Sequence, residues 1–391
     1  MGFLMTFLGY LLPFLLVLSV VVFVHEYGHF IVARWCGVKV DAFSLGFGPE
    51  LAAFIDRKGT RWRIAAIPLG GYVKFHGDAN GASIPSPETI AAMSPEERAV
   101  SFAGQNVAKR AAVVFAGPGF NFLLAIAIFA SIFAYFGRPI LVDGQPLLAP
   151  RISSVLPNGA GNAAGFKAGD VVKSVDGAAI DNFGQFQRLV SASIGRELRV
   201  TVLRGEDEAV LLATPAATET KGPDGAAVKV GRLGLTASDD FRDMKMAPCS
   251  VFEAIGLAAN ETWSIVEQTG RYVAGLFAGR ESPSQLSGPI GIAVVSGQMA
   301  QKIPTLGIWP LVNLIAWLSV SVGLLNLAPV PLLDGGHLAF FAIEAIRGRA
   351  LNDRIQEYAF RVGLALVCSL MIFATYNDLA QQLRRFAGFG G

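Results

Sequence analysis

The stretch Val22-Phe23-Val24-His25-Glu26-Tyr27-Gly28-His29-Phe30 decides how this chain is read. The residues before it, Phe3 to Val24, carry no charge over a length that crosses a bilayer. If the helix continues, His25 and His29 lie one turn apart on one face, where both can bind a single zinc. Glu26 beside them can accept a proton from a water at that metal. A bare HExxH pattern also arises by chance, and a lone histidine on an apolar face is commonly a hydrogen-bonded core residue. Here that bland reading must account for two His and one Glu at the end of an uncharged span, where ionisable groups are costly. The pattern points to hydrolysis at membrane depth.

The composition around the motif agrees. The chain has 391 residues, 16% of them charged, and a net charge of +2; its mean hydropathy is +0.48. That is too apolar for an ordinary soluble protein and too charged for a purely membrane one, so several spans plus a soluble module are expected. Nothing in the charge balance points to nucleic acid. Cys36, Cys249 and Cys368 stand far apart with no CxxC pair, which argues against a disulfide framework or a cysteine zinc site. The N-terminal apolar stretch lacks a basic start and runs into the His-Glu motif rather than a small-residue cleavage site, so it reads as a retained first span.

Four membrane segments are expected: Phe3 to about Phe30; Ala111 to Phe136, broken early by Gly117-Pro118-Gly119; Ile308 to about Leu327; and a short one, Val362 to Tyr376, helped by Tyr358 to Phe360 if Arg361 snorkels. Basic residues crowd the loop from Arg34 to Arg110 and the loop holding Arg347, Arg349, Arg354 and Arg361. Both loops are therefore expected on the cytoplasmic side, with both termini and the long segment from Gly137 to about Pro304 outside. Arg384 and Arg385 in the tail argue mildly against this. In the outer segment Pro150 to Val155, Asp170 to Val175, Leu198 to Arg204 and Ala209 to Ala213 read as strands, and Phe183 to Ser193 as a helix. Val251 to Phe277 reads as an amphipathic helix, at the membrane surface or packed on the soluble domain. Leu45 to Phe75 alternates polar and apolar residues and ends in Gly70-Gly71-Tyr72-Val73, the pattern of a β-hairpin beside a span. Ser83 to Pro95 is a Ser- and Pro-rich loop.

Two histidines leave tetrahedral zinc short of a third protein ligand. The best candidate is Asp334 in Asn326-Leu327-Ala328-Pro329-Val330-Pro331-Leu332-Leu333-Asp334-Gly335-Gly336-His337, a carboxylate right after an apolar run. His337 is the rival ligand and His76 a weaker one. Pro329 and Pro331 break the helix and make room for an incoming chain. Asn326 can donate to a substrate carbonyl or bond the backbone that Pro329 frees. Gly70, Gly71 and Tyr72 offer a strand edge to which an extended substrate can add. Asn121, in Gly117-Pro118-Gly119-Phe120-Asn121, reads as part of a small-residue stretch for close helix packing.

Taken together, HEYGH, IPLGGYVKF, GPGFN, LSGPIGIA (Leu286 to Ala293) and NLAPVPLLDGGH resemble the site-2 protease family of intramembrane zinc metalloproteases (peptidase M50B), and its bacterial sigma-E-regulating branch in particular. The resemblance covers nearly the whole chain. It implies Zn2+ held by His25, His29 and Asp334, Glu26 as general base, Asn326 in substrate handling, and a re-entrant hairpin presenting substrate as a strand. It implies single-span substrates such as anti-sigma factors or signal-peptide remnants, in a bacterial inner membrane with the active site toward the cytoplasm. The GFKAGD and VDG patterns are similar to a PDZ domain. Relatives carry two in tandem; one is visible here.

The expected architecture is an α-helical polytopic membrane protein of about four transmembrane helices, with a membrane-associated β-hairpin region and an inserted α+β PDZ domain. Residues 1–137 would hold the first two spans, 138–240 a periplasmic PDZ domain, 241–304 the amphipathic helix and linker, and 305–391 the last two spans. A metal transporter would require further ionisable clusters and inverted repeats. A PDZ-bearing scaffold with a structural metal would leave Glu26 without a purpose.

Overall fold

The computed structural model describes residues 2–78, 92–142, 145–221, 227–238, 243–283, 287–349 and 351–386. Most of the Ser83 to Pro95 loop, and Leu286, lie outside these. The chain forms two compact units, Met1–Ser131 with Ile255–Gly391, and Ile132–Ala254.

Helix α1 (Gly2–Trp35) runs unbroken through the His-Glu motif. Gly37, at φ +84°, ends it, and the Val38 N–H turns back to Ala33 O at 2.9 Å. Strands β1 (Val40–Ile55) and β2 (Arg61–Phe75) follow. The simple hairpin expected from Leu45 is corrected by the pairing, which starts at Val40, and both strands fold back on themselves. Leu45 lies opposite both Gly71 and Ile64, while Ala52 also faces Ile64. The result is four segments side by side, in the order 71–75, 40–45, 61–65, 50–55. Glycine makes the bends possible, because Gly46, Gly48 and Gly70 sit at positive φ (+92°, +84° and +146°), where a side chain is strained. Phe43 of the inner segment 40–45, with Val73 and Phe75 of its outer neighbour 71–75, packs against Phe30 of α1, Phe102 and Val113.

Helix α2 (Val107–Phe136) contains Pro118 without interruption. The expected early break at Gly117-Pro118-Gly119 does not occur. Pro118 removes one backbone donor, and a packed neighbour can re-satisfy the freed groups inside a helical bundle.

The second unit is α+β. Among its strands are β3 (Ile152–Val155), β4 (Val171–Val175) and β5 (Ala178–Ala179), then β6 (Leu198–Arg204), β7 (Asp207–Ala213) and β8 (Leu235–Ala237), with helix α3 (Phe183–Ala192) between β5 and β6. The main sheet has the order β7-β6-β4-β5, and β8 pairs with β3. Asn182 caps α3 by accepting the Gln185 N–H at 2.9 Å. Inward residues Ile152, Phe166, Val172, Phe186, Leu198, Val200 and Val202 form one buried core. Asp170 of the GFKAGD stretch is buried and accepts two hydrogen bonds from Arg204, both at 2.8 Å. Burial pushes its carboxyl up, but the Arg204 bonds and the Lys167 N–H outweigh that and hold it below the ordinary range.

Helix α4 (Val251–Phe277) buries Ala254, Ala258 and Ile265 and exposes Phe252, Ile255 and Trp263. Then come α5 (Pro289–Gln301), α6 (Trp309–Asn326), α7 (Asp334–Arg347) and α8 (Asp353–Phe386). Among the described residues α1, α2, α6 and α8 are long and apolar enough to cross a membrane, as in a polytopic membrane protein. The fourth is not short. Helix α8 runs through Arg361, whose guanidinium pairs with Glu357 one turn back at 2.6 Å, and beyond Tyr376. There the buried Asp378 accepts the Gly288 and Gly291 N–H groups at 3.0 and 2.8 Å, at the N-terminus of α5. Those orphan helix donors stabilise a carboxylate that would otherwise end an apolar span.

Candidate metal centre

The site is built within the first unit from α1, α2, β2 and the segment between α6 and α7. Helical spacing places His25 and His29 on one face of α1, with ring centroids 4.8 Å apart. Both are at most 9% exposed. Asp334, the first residue of α7, comes to them from the far end of the sequence. The His25 Nε2 and His29 Nε2 atoms are 3.2 Å apart, and Asp334 Oδ2 lies 3.2 and 3.5 Å from them.

The opposite edge of each imidazole is held by α2. His29 Nδ1 donates to Val113 O at 2.9 Å, and His25 Nδ1 lies 3.2 Å from Asn121 Nδ2. A proton on His29 Nδ1 leaves its Nε2 as a bare lone pair. Asp334 Oδ2 is buried with no hydrogen-bond partner. With both imidazoles neutral and protonated on Nδ1, three acceptor atoms converge in a buried place, an arrangement a cation stabilises. Ligands around a tetrahedral zinc at ~2.0–2.1 Å stand roughly 3.3 Å from one another. The three observed separations fit that figure. Among the described residues this is the one group of three or more His, Cys, Asp or Glu placed to hold a metal.

Gly117 is what lets α2 come so near. A Cβ there would stand 2.3 Å from His29 Nε2 and 2.9 Å from His25 Cε1. Gly28 plays the same part from the other helix, where a Cβ would stand 2.4 Å from Ala116 O. The GPG stretch is therefore a contact surface for the histidines rather than a helix break.

A cavity opens onto this cluster. It is lined by His25, Glu26 and His29, by Gly71, Tyr72, Val73 and Phe75 of β2, and by Asn326, Leu332, Leu333, Asp334 and His337. Glu26 sits under the strand, since a Cβ on Gly71 would be 3.0 Å from Glu26 Cγ. The 71–75 segment is an outer segment of the folded sheet. The Asn326 side chain donates to Val322 O in its own helix at 3.1 Å. That carbonyl lies four residues back, so the bond does not compensate for Pro329. His337 lines the cavity but stands outside the three-atom cluster, its ring beside Phe360 at 5.4 Å. His76 is engaged elsewhere, with Nδ1 3.2 Å from both Asp41 carboxylate oxygens.

Gly70, Pro329 and Pro331 do not line the cavity; they shape the backbone that does. A Cβ on Gly70 would meet the Phe47 ring at 2.6 Å, and α8 passes so close to Pro331 O that position 363 has room only for glycine. Leu332 adopts φ +114°, a conformation nearly reserved for glycine, on the way to Asp334. Sequence reasoning assigns Asn121 to helix packing, whereas the structure puts it, fully buried, against His25. A polar amide in an otherwise apolar span is the signal that could have found it.

The sequence from residue 13 to 370 matches the family model described as Peptidase family M50. A protein of Agrobacterium fabrum named "Putative zinc metalloprotease" is 46% identical, the alignment covering 95% of this chain and 96% of the relative. One of Rhizobium meliloti with the same description is 45% identical, over 97% and 99%. The metalloprotease MmpA of Caulobacter vibrioides is 39% identical, over 95% and 96%. The chain belongs to peptidase family M50 and is a zinc metalloprotease.

Proposed function

We propose that this M50 peptidase cuts peptide bonds within the transmembrane segments of single-span membrane proteins, with zinc held by His25, His29 and Asp334. The observation that carries the reading is the convergence of His25 Nε2, His29 Nε2 and Asp334 Oδ2 within an apolar span, beside an outer strand of the folded sheet. Bound zinc supplies Lewis acidity, which polarises a carbonyl and makes a water nucleophilic near neutral pH. Glu26 takes the proton of the attacking water and returns it to the leaving amine. Asn326 has a second amide hydrogen beyond the one given to Val322 O, and can direct it to the carbonyl oxygen.

A transmembrane helix hides its carbonyls in its own hydrogen bonds, so the substrate must unwind before it is cut. Pairing along Gly71 and Tyr72 offsets the lost bonds and holds the scissile carbonyl extended over the cluster. The kinks at Gly70, Pro329 and Pro331 shape the two walls of that channel. Substrates of anti-sigma-factor or signal-peptide-remnant type fit this scheme.

The placement of basic loops supports a bacterial inner-membrane protein with the active site toward the cytoplasm. The 138–240 region is proposed as a periplasmic PDZ domain that contacts substrate or regulator. Residues 241–304 carry the surface helix α4, whose exposed Phe252, Ile255 and Trp263 suit the bilayer interface.

The test is cleavage of a single-span model substrate by purified protein in detergent, beside Glu26→Gln and a chelated sample. Loss of cutting in both, with zinc retained in the variant, is the expected result. Cutting that persists at more than a few per cent in Glu26→Gln contradicts the role given to Glu26.

A further inference from the structure

The two histidines at the metal centre are held differently, and the difference assigns a task to Asn121. His29 Nδ1 is tied to a backbone carbonyl, Val113 O, which no substitution removes. His25 Nδ1 faces a side chain, the Asn121 amide, at 3.2 Å. Asn121 is completely buried where three helices meet. Its backbone O accepts from Ser319 Oγ of α6 at 2.8 Å, and Gly323 of α6 leaves room for its Cβ. Its Oδ1 is buried and has no hydrogen-bond partner.

A histidine that offers Nε2 to a metal carries its proton on Nδ1, and that N–H needs an acceptor. The amide nitrogen now drawn toward His25 is a donor, so donor would face donor. Turning the amide about its last bond exchanges Oδ1 and Nδ2 with almost no change in heavy-atom positions. Either way one amide atom stays unpaired, so the imidazole decides the orientation. A neutral acceptor also suits the local charge, because Asp334 and Glu26 already supply two carboxylates around one divalent cation.

We propose that Asn121 is a positioning residue that accepts the His25 Nδ1–H through its amide oxygen and holds His25 in the tautomer that binds zinc. The proposal rests on zinc being held by His25, His29 and Asp334. Partners of this kind orient metal-binding histidines, and their loss costs roughly 10–100-fold in metal affinity.

Zinc affinity of the purified full chain, measured by competition with a chelator of known affinity, tests it without reference to activity. Asn121→Leu keeps the volume and removes the acceptor, and should weaken zinc by that factor. Asn121→Asp keeps an acceptor and loses the donor, and should stay within a few-fold of the natural chain or bind more tightly. Ser319→Ala loosens the packing around Asn121 but leaves the acceptor, and should bind as the natural chain does. Undiminished affinity in Asn121→Leu, or equal losses in Asn121→Leu and Asn121→Asp, overturns the proposal. Should the Leu variant fail to fold, the Asp and Ser319→Ala arms still decide: loss in Asp alone refutes the acceptor role. His25→Ala serves as the reference. If it retains zinc, the ligand set itself is wrong; if it loses zinc while Asn121→Leu does not, only the role of Asn121 falls.

Discussion

The two units of the chain are held together by opposite means. The interior of the 132–254 unit is made of large aliphatic and aromatic side chains, among them Ile152, Leu198, Val200 and Phe186, at most 2% exposed. Around the metal centre α1, α2 and α6 approach one another at Gly28, Gly117 and Gly323, with Asn121 and Ser319 buried among them. Water drives the first kind of packing, because removing apolar surface from it is favourable. Lipid does not, since its tails are as apolar as leucine. Helices in it associate through close backbone approach and hydrogen bonds instead. The half that carries the proposed metal centre therefore depends on residues that are small or polar, and is sensitive to an added atom rather than a lost one.

The strongest challenge to that contrast is Gly117→Ala. One methyl group placed 2.3 Å from His29 Nε2 must push α1 and α2 apart or turn the ring. Zinc affinity should fall on the order of 10–100-fold, as for a misplaced ligand, with cleavage lost in proportion. Chelator competition checks this, and an unaltered affinity would mean that the two helices yield without disturbing the ligands. The converse deletion, Leu198→Ala, should cost the 132–254 unit about 3 kcal/mol through transfer and cavity terms while leaving zinc affinity unchanged. Hydrogen exchange of the β4, β6 and β7 amides reads the first, and chelator competition the second.

A smaller effect sharpens the account of the folded sheet. Asp56 follows β1 and accepts from the Trp62 indole, the Arg34 guanidinium, and the Lys58 and Thr60 backbones. Burial raises its pKa, but these donors prevail and hold it at about 2. An unfolded aspartate titrates near ~3.9. The depressed value means its contribution is complete above that pH and disappears as pH falls toward 2. Protection of the Lys58 and Thr60 amides, taken relative to their intrinsic exchange rates at each pH, should fall over that window; a flat profile would show that the carboxylate does not organise the turn.

Much of the centre is legible in the residues alone, since HEYGH and the Asp334 segment carry their chemistry in residue type and spacing. Membrane helices are legible as apolar runs, but their limits are not. Pro118 suggests a break that packing overrides, and Asp378 suggests an end that the α5 N-terminus makes unnecessary. The folding back of β1 and β2 stays hidden because alternation reports which face a residue takes, not which segment it pairs with. Asn121 stands out as a polar amide in an apolar span, but small neighbours make helix packing an equally good reading until the fold sets it against His25.

The central claim is that peptide bonds are cut inside an apolar segment at the zinc held by His25, His29 and Asp334. Its most direct test is to identify by mass spectrometry the new ends that the zinc-loaded protein makes from a single-span substrate. Ends that fall within the substrate's apolar run, absent with Glu26→Gln and with Asp334→Ala, are the predicted result. Ends confined to the flanking polar loops, or unchanged in Asp334→Ala, would contradict it.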